Sequence, residues 1–308
     1  MQKKQTIAEA EVEKEKLNVD MYALNDRVND LYFGILLLDE QIKQNTLLQD
    51  ELERNYRQIT AYVENGIANQ ADLDAVKVEQ LNTKQKRIDL VSSRAAYLKM
   101  LSLLVGEALS PETVLEKPVP QSTVSAVSEI RRPELALFDA QGAGLQVQEK
   151  ALNVRHLPQF GLFVQGAYGN PGLNMLKNEF SPYYMAGVRL SWNFGSLYTL
   201  KNDRRVIEKK RRQLDNNRDV FLFNTRLEMT QQDQAIHSLE KQMRDDDEII
   251  RLRTNIRKAA EAKVANGTLT VTEMLRELTN ESLARQSKAM HEIQRLMGIY
   301  QLKYTIND

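Results

Sequence analysis

The chain has 308 residues, with 42 basic and 42 acidic side chains, so its formal net charge of +0 provides no global field toward nucleic acid or an anionic surface. It has no cysteine, which excludes disulfides, thiolate metal sites and cysteine nucleophiles, and its three histidines (His156, His237, His291) stand too far apart for a metal-ligand spacing. Charged residues are 27% and aromatics 6%, a mix that fits long, surface-rich helices better than a compact sheet enzyme.

The first stretch, Met1 to Glu64, reads as one helix. Leu17, Met21, Leu24, Val28, Leu31, Ile35, Leu38 and Ile42 step alternately by four and three. After two polar positions, Asn45 and Gln49, the same phase resumes at Leu52, Tyr56, Ile59 and Val63. That is a heptad seam of coiled-coil type. A helix of this length is a rod of roughly 95 Å, far beyond what an ordinary core requires. Only Gly34 interrupts the pattern. The opening MQKKQTIAEAEVEKEK has no apolar h-region and starts inside a helical pattern without an N-cap. No signal peptide is therefore expected, and Met1 is not expected to be the natural start of a complete protein. No run of 18 apolar residues predicts a membrane-spanning helix.

Glu64-Asn65-Gly66 is a helix stop with glycine at the C′ position. Asn69 and Asp72 are spaced to cap a second helix, Ala71 to about Leu104, whose apolar stripe is Leu81, Ile88, Val91, Ala95 and Leu98. The short turn makes the two helices antiparallel neighbours. Pro111, Pro118 and Pro120 mark an extended linker up to Pro133, which opens a third helix, Glu134 to about His156. Two strands follow. Phe160 to Tyr168 places Phe160, Leu162, Val164 and Tyr168 on one face; Met185 to Phe194 places Ala186, Val188, Leu190, Trp192 and Phe194 on one face and Gly187, Arg189, Ser191 and Asn193 on the other. The sixteen residues from Gly169 to Tyr184 read as a long loop. Such strands match a hairpin of a transmembrane barrel, and by pattern alone they match a half-buried hairpin at least as well.

A second very long helix is expected from Leu200 to Ala265. Leu200, Ile207, Leu214 and Phe221 are spaced by seven, and Leu222, Met229, Ile236, Met243 and Ile250 continue one position over, a phase change in the seam. Asn266-Gly267 stops it, and Thr270 with Glu273 forms a capping box for a last helix to about Tyr300, with Met274, Leu278, Met290, Ile293 and Met297 inward. The two turns are an internal repeat: Tyr62 to Leu73 aligns without gaps on Lys263 to Met274, with Val63/Val264, Asn65/Asn266 and Gly66/Gly267 identical. The expected divisions are a first helical hairpin at 1–105, a linker at 106–133, a helix at 134–157, a strand hairpin at 158–195, a second helical hairpin at 196–300 and a tail at 301–308.

The order and spacing of these features resemble the TolC-like outer-membrane efflux proteins. They are two long helical hairpins with Asn-Gly turns, the Arg132-Pro133-Glu134-Leu135 helix start, the Leu157-Pro158 lead-in to a strand, and Leu190-Ser-Trp-Asn-Phe-Gly195 running into a long helix. The resemblance covers nearly the whole chain. It implies a mainly α fold of antiparallel coiled-coil hairpins forming an α-barrel tunnel, with a β-hairpin contributing to a transmembrane β-barrel. It implies a homotrimer in the outer membrane of a Gram-negative cell, extending into the periplasm in contact with outer-membrane lipid. That trimer is a passive duct, without cofactor, serving an efflux pump or type I secretion system through a periplasmic adaptor and an inner-membrane transporter. Asn65, Gly66, Ile67, Asn266, Gly267 and Thr268 fall at the turns that meet the adaptor. Asp72 and Glu273 match acidic positions that line the entrance, and they equally suit helix capping against the macrodipole. The pattern departs at Leu269, where some members carry Arg, and at Arg276, where some carry an acidic residue. The family's first helices and first strand pair are absent, and two strands from each of three copies make six, where the family's barrel has twelve. This 308-residue chain alone is therefore not expected to form a working pore.

A periplasmic coiled-coil adaptor is the alternative, but it predicts one hairpin flanked by small β domains. A non-functional fragment is a further alternative. No phosphate loop, nucleophile elbow or metal spacing supports an enzyme. Lys209-Lys-Arg-Arg212 reads as a solvated helix face, and no nucleic-acid partner is expected.

Overall fold

The computed structural model describes residues 1–119, 128–155, 157–173, 175–176, 178–192 and 195–308. Pro120, His156, Asn193 and Phe194, named in the sequence reading, lie outside the described residues. In chain order the described elements are α1 (Gln2–Glu64), α2 (Gln70–Val105), α3 (Pro133–Arg155), β1 (Gln159–Gly169), β2 (Ser181–Ser191), α4 (Gly195–Ala265) and α5 (Val271–Ile306). Among the described residues no helix is long and apolar enough to cross a membrane. The chain divides into two units, one of Asp20–Arg132 with Phe223–Asp308, the other of Met1–Val19 with Pro133–Leu222.

The first unit holds both hairpin turns. The α1 seam is buried from Leu31 onward: Ile35, Leu52 and Ile59 are closed to solvent, and Leu31 and Ile35 pack on Leu98 and Leu101 of α2. The two polar positions in that seam are partnered. The side-chain amides of Asn45 and Gln49 both donate to the Thr83 carbonyl of α2, at 3.1 and 3.3 Å, which ties the helices at one register. A second face of α1, carrying Phe33 and Leu36, packs on Ile293 of α5. One helix thus serves two neighbours. Gly34 has a local reason: a Cβ there would lie 2.6 Å from the ring of Tyr97 on α2.

Two expected stripes are covered only in part inside the chain, Leu98 being the buried member of the α2 stripe. Leu17, Met21 and Leu24 of α1 are exposed, and so are Leu81, Ile88 and Val91 of α2, while Val76, Thr83, Leu90, Leu98 and Leu101 are the buried face. Apolar periodicity marks a face that avoids water, but the packing partner decides which of two such faces is covered inside one chain. The inward residues expected for α5 fare better, with Met274, Leu278 and Ile293 all buried. That helix continues to Ile306 because Leu302, Thr305 and Ile306 are buried and Asn307 closes it in left-handed geometry, so most of the expected tail at 301–308 is helix.

The segment after α2 is extended, as its prolines imply, but docked. Arg94 pairs with Asp39 and donates to the carbonyls of Pro111 and Thr113, both at 2.7 Å. Tyr32 donates to the Glu116 carbonyl at 2.6 Å, and Lys117 pairs with Glu40 at 2.8 Å. At its far end the Arg131 N–H donates to the Ile306 carbonyl at 2.8 Å, and Asn307 donates to the Arg131 carbonyl at 2.9 Å.

In the second unit α3 packs on the first third of α4. Phe138 meets Phe221 with ring centroids 5.9 Å apart, Arg211 pairs with Glu149 at 3.0 Å, and Arg218 with Asp139 at 2.8 Å. The α4 seam runs Ile207, Leu214, Phe221 and then Thr225 and Met229; the consecutive steps of four after Phe221 are the phase change read from the sequence. β1 and β2 pair antiparallel with Phe160 opposite Leu190, Leu162 opposite Val188 and Val164 opposite Ala186. The two apolar faces read from the sequence therefore share one side of the ribbon. The second strand starts at Ser181, four residues before the expected Met185, so the loop shortens to 170–180. The shared face is bare: Leu162 is 86% exposed, Val164 80% and Val188 67%. It covers no core among the described residues.

Ile59→Ala is expected to destabilise the isolated chain by about 2–5 kcal/mol through the cavity it leaves. Leu81→Ala, on the open face, is expected to cost under about 1 kcal/mol. Urea unfolding followed by circular dichroism checks both; equal losses would place Leu81 in the core.

Candidate functional site

The two Asn-Gly turns share one geometry. Each long helix ends in a left-handed glycine, Gly66 at φ 72° and Gly267 at φ 69°. The Gly66 N–H donates to the Val63 carbonyl and the Ile67 N–H to the Tyr62 carbonyl, at 3.1 and 2.8 Å; Gly267 to Val264 and Thr268 to Lys263 repeat this at 2.9 Å each. That is the paired-bond helix stop glycine makes possible. The asparagines do one job twice: Asn65 and Asn266 donate to the carbonyls of Ala61 and Ala262, at 2.7 and 2.8 Å.

The structure brings the two turns side by side on one core. Leu52, Ile59 and Val76 of the first hairpin pack with Val264, Val271, Met274 and Leu278 of the second, joined by Ala68 and Leu269 from the turns themselves. Above that core the six expected contact residues, Asn65, Gly66, Ile67, Asn266, Gly267 and Thr268, are all exposed. No atom lies within 4 Å of where a Cβ would stand on Gly66 or Gly267. The candidate site is thus a pair of hydrogen-bonded turns presenting bare backbone, with Ile67 half open as an apolar point.

Asp72 and Glu273, expected at an entrance, are engaged as caps. Asp72 accepts from the Asn69 N–H at 3.0 Å while the Asn69 side chain accepts from the Asp72 N–H at 3.0 Å. Glu273 accepts from the Thr270 hydroxyl at 2.8 Å and its N–H at 3.2 Å, and these bonds, the hydroxyl's foremost, hold its carboxyl below the ordinary range.

The sequence reading missed the charged network just behind the turns. Glu281 of α5 is buried and accepts from Arg257 at 2.5 Å, Arg285 at 2.6 Å and the Thr254 hydroxyl at 2.8 Å. Arg257 also reaches Glu51 of α1 at 3.1 Å and pairs with Glu261, so one guanidinium clasps three helices. Burial pushes the Glu281 carboxyl up, but the bonds from Arg285, Arg257 and Thr254 outweigh it and hold it below its usual value. Higher along the same helix pair, buried Asp246 faces His291 Nδ1 at 2.9 Å. The signal was legible in principle: Asp246, Arg257 and Glu281 occupy seam positions where an apolar residue is expected, as Asn45 does. Among the described residues no cluster of metal-ligating side chains occurs.

No protein-family model matches this chain, and no curated protein sequence does either. Solved structures do. The outer membrane protein VceC of Vibrio cholerae superposes with a TM-score of 0.79 at 10% identity, covering 98% of this chain and 74% of that one. CusC, described for its transmembrane channel formation, gives 0.78 at 16% identity, covering 99% and 73%. The CmeC outer membrane channel of Campylobacter jejuni gives 0.75 at 10% identity, covering 98% and 66%.

Gly66→Ala and Gly267→Ala each force a side chain into left-handed geometry and are expected to cost about 1 kcal/mol or more, with asparagine better tolerated, in thermal unfolding. Glu281→Gln is expected to cost about 1–3 kcal/mol at neutral pH. Because the folded carboxyl is depressed, its contribution is present above the unfolded value near 4.3 and is lost as pH falls through the folded one. The stability gap between wild type and variant should therefore close on acidification below about pH 4. At these identities the similarity speaks for architecture alone: the chain is mainly helical with one two-strand antiparallel sheet, and its long helical hairpins have the tunnel-type fold of these outer-membrane channels, as the sequence resemblance implied.

Proposed function

We propose that this chain is the channel component of an outer-membrane efflux pump or type I secretion system. It would act as a passive duct with three copies around a common axis, located in the outer membrane and reaching into the periplasm. The observation that carries this reading is the bare apolar face of the β1–β2 ribbon between two helical hairpins of tunnel type. Eleven residues per strand extend roughly 36 Å and, tilted by about 45°, cover roughly 25 Å, the height of a barrel's apolar band. Aromatic side chains stand at both ends of the ribbon, Phe160 and Trp192 at one, Tyr168 stacked on Phe180 at the other, as in interfacial girdles.

Assembly accounts for the uncovered helix faces. Leu81, Ile88 and Val91 on α2, and Ile249, Leu252 and Ile256 on α4, are exposed apolar stripes at helical spacing, which neighbouring copies of the chain would bury. The paired turns would receive a periplasmic adaptor on their open backbone, with Ile67 as its apolar anchor, and the inner-membrane transporter would supply the energy. Opening would be a shear of the paired hairpins, resisted by the Arg257 clasp. A coiled-coil adaptor has no use for a bare apolar ribbon between two hairpins.

Fractionation of the source cells with intact-mass analysis is the test. The protein should be found in the outer membrane and migrate as a trimer until heated. A monomer in the soluble fraction would overturn the reading.

A further inference from the structure

The neutral net charge conceals a segregation that the duct reading leaves unused. Between Gly195 and Arg212, at the start of α4, seven basic residues stand against two acidic ones. Some are structural: Arg204 donates to Asn153 and Arg211 pairs with Glu149, both holding α3. Others point elsewhere. Tyr198, Lys201, Arg205, Lys209 and Arg212 step by three, four, four and three, which keeps them on one face of the helix. That face lies opposite the seam of Ile207 and Leu214, and all five residues are exposed. Arg212 pairs with Glu208 along the helix, whereas Lys201, Arg205 and Lys209 pair with no acid among the described residues.

Their place in the fold singles out a partner. Gln159 pairs with Ser191, so the end of α3 and the start of α4 emerge at the same end of the ribbon. Arg155, exposed in the last turn of α3, precedes β1 by four residues, and Lys201 follows β2 by ten. Trp192 and Tyr198, 47% and 91% exposed, sit between the bare apolar face and the cations. Apolar ribbon, amphipathic aromatics and unpaired cations, in that order, match the layers of a bilayer from hydrocarbon through interface to headgroup phosphate. At 1.5 Å per residue Lys201 lies roughly 9 Å along α4 and Arg205 roughly 15 Å, within reach of the headgroup layer; Lys209 and Lys210 begin roughly 21 Å along, farther out, where ionic screening weakens the attraction.

We propose that Lys201 and Arg205, with Arg155, form a binding surface for the phosphates of anionic lipid headgroups in the leaflet on the helical side of the ribbon, which sets the depth of the β-hairpin in the membrane. This rests on the reading that the ribbon enters a bilayer. Each such cation near an anionic surface contributes roughly fivefold in affinity.

Flotation of the full chain with two vesicle types tests it, phosphatidylcholine alone and an equimolar mixture with phosphatidylglycerol. Trp192 is the only tryptophan, so its emission reports independently whether the ribbon inserts. Wild type should insert into both and bind the anionic vesicles at least about tenfold more tightly, a preference that fades at about 1 M salt. The pair Lys201→Gln with Arg205→Gln should lose most of that preference, while Lys209→Gln with Lys210→Gln should retain at least half. A blue-shifted Trp192 on both vesicle types with no anionic preference, or equal preference in both double variants, would overturn the headgroup site and leave the membrane reading standing. No blue shift on either vesicle type would overturn the membrane reading and the site with it.

Discussion

A helix of 63 or 71 residues cannot hide its own apolar seam, and this constraint governs the rest of the chain. Each long helix turns back on a shorter one at an Asn-Gly stop, and neither hairpin covers all its apolar surface alone. The two hairpins therefore share the core of Leu52, Val76, Val264 and Met274 at their turns. α1 carries one face toward α2 and another toward α5, so its removal would open both contacts. The linker is drawn into the same economy: Arg94 holds it by two carbonyls because an unpaired extended backbone against a helix pair would leave polar groups unsatisfied.

Polar groups inside the seams set geometry where apolar contacts alone would slide. Leucines on a heptad accept a shift of one repeat at little cost, but the amides of Asn45 and Gln49 converge on a single carbonyl, Thr83, and a shifted register loses both bonds. Arg257 acts similarly at the level of three helices. Its partners Glu51, Glu261 and Glu281 come from α1, α4 and α5, so the clasp holds the hairpins together behind the turns while the turns themselves stay open.

The ribbon obeys the opposite rule. The helices each bury at least part of their apolar surface within the chain, but Leu162, Val164 and Val188 stay 67–86% exposed. An apolar face of that size left in water is unfavourable by several kcal/mol at roughly 25 cal/mol per Å². The cations that follow it along α4 give the face a polarity from apolar to charged within about ten residues.

Much of this was legible from residues alone. Heptad spacing determined the long helices; Asn-Gly with Asn69–Asp72 and Thr270–Glu273 determined both turns and their caps; alternation determined which strand residues share a side. These are local consequences of helical period, left-handed glycine and the β pleat, so neighbouring residues suffice to specify them. The choice between the two stripes of α2 was not local. Leu81 and Ile88 are as apolar as Val76 and Leu90, and only the position of α1 decides which pair is buried. The Arg257–Glu281 clasp, the Asp246–His291 pair and the convergence of both turns on one core join residues 24 to more than 200 positions apart. Such pairings arise from the packing of whole helices, since the energy that selects them exists only once their separate seams have met.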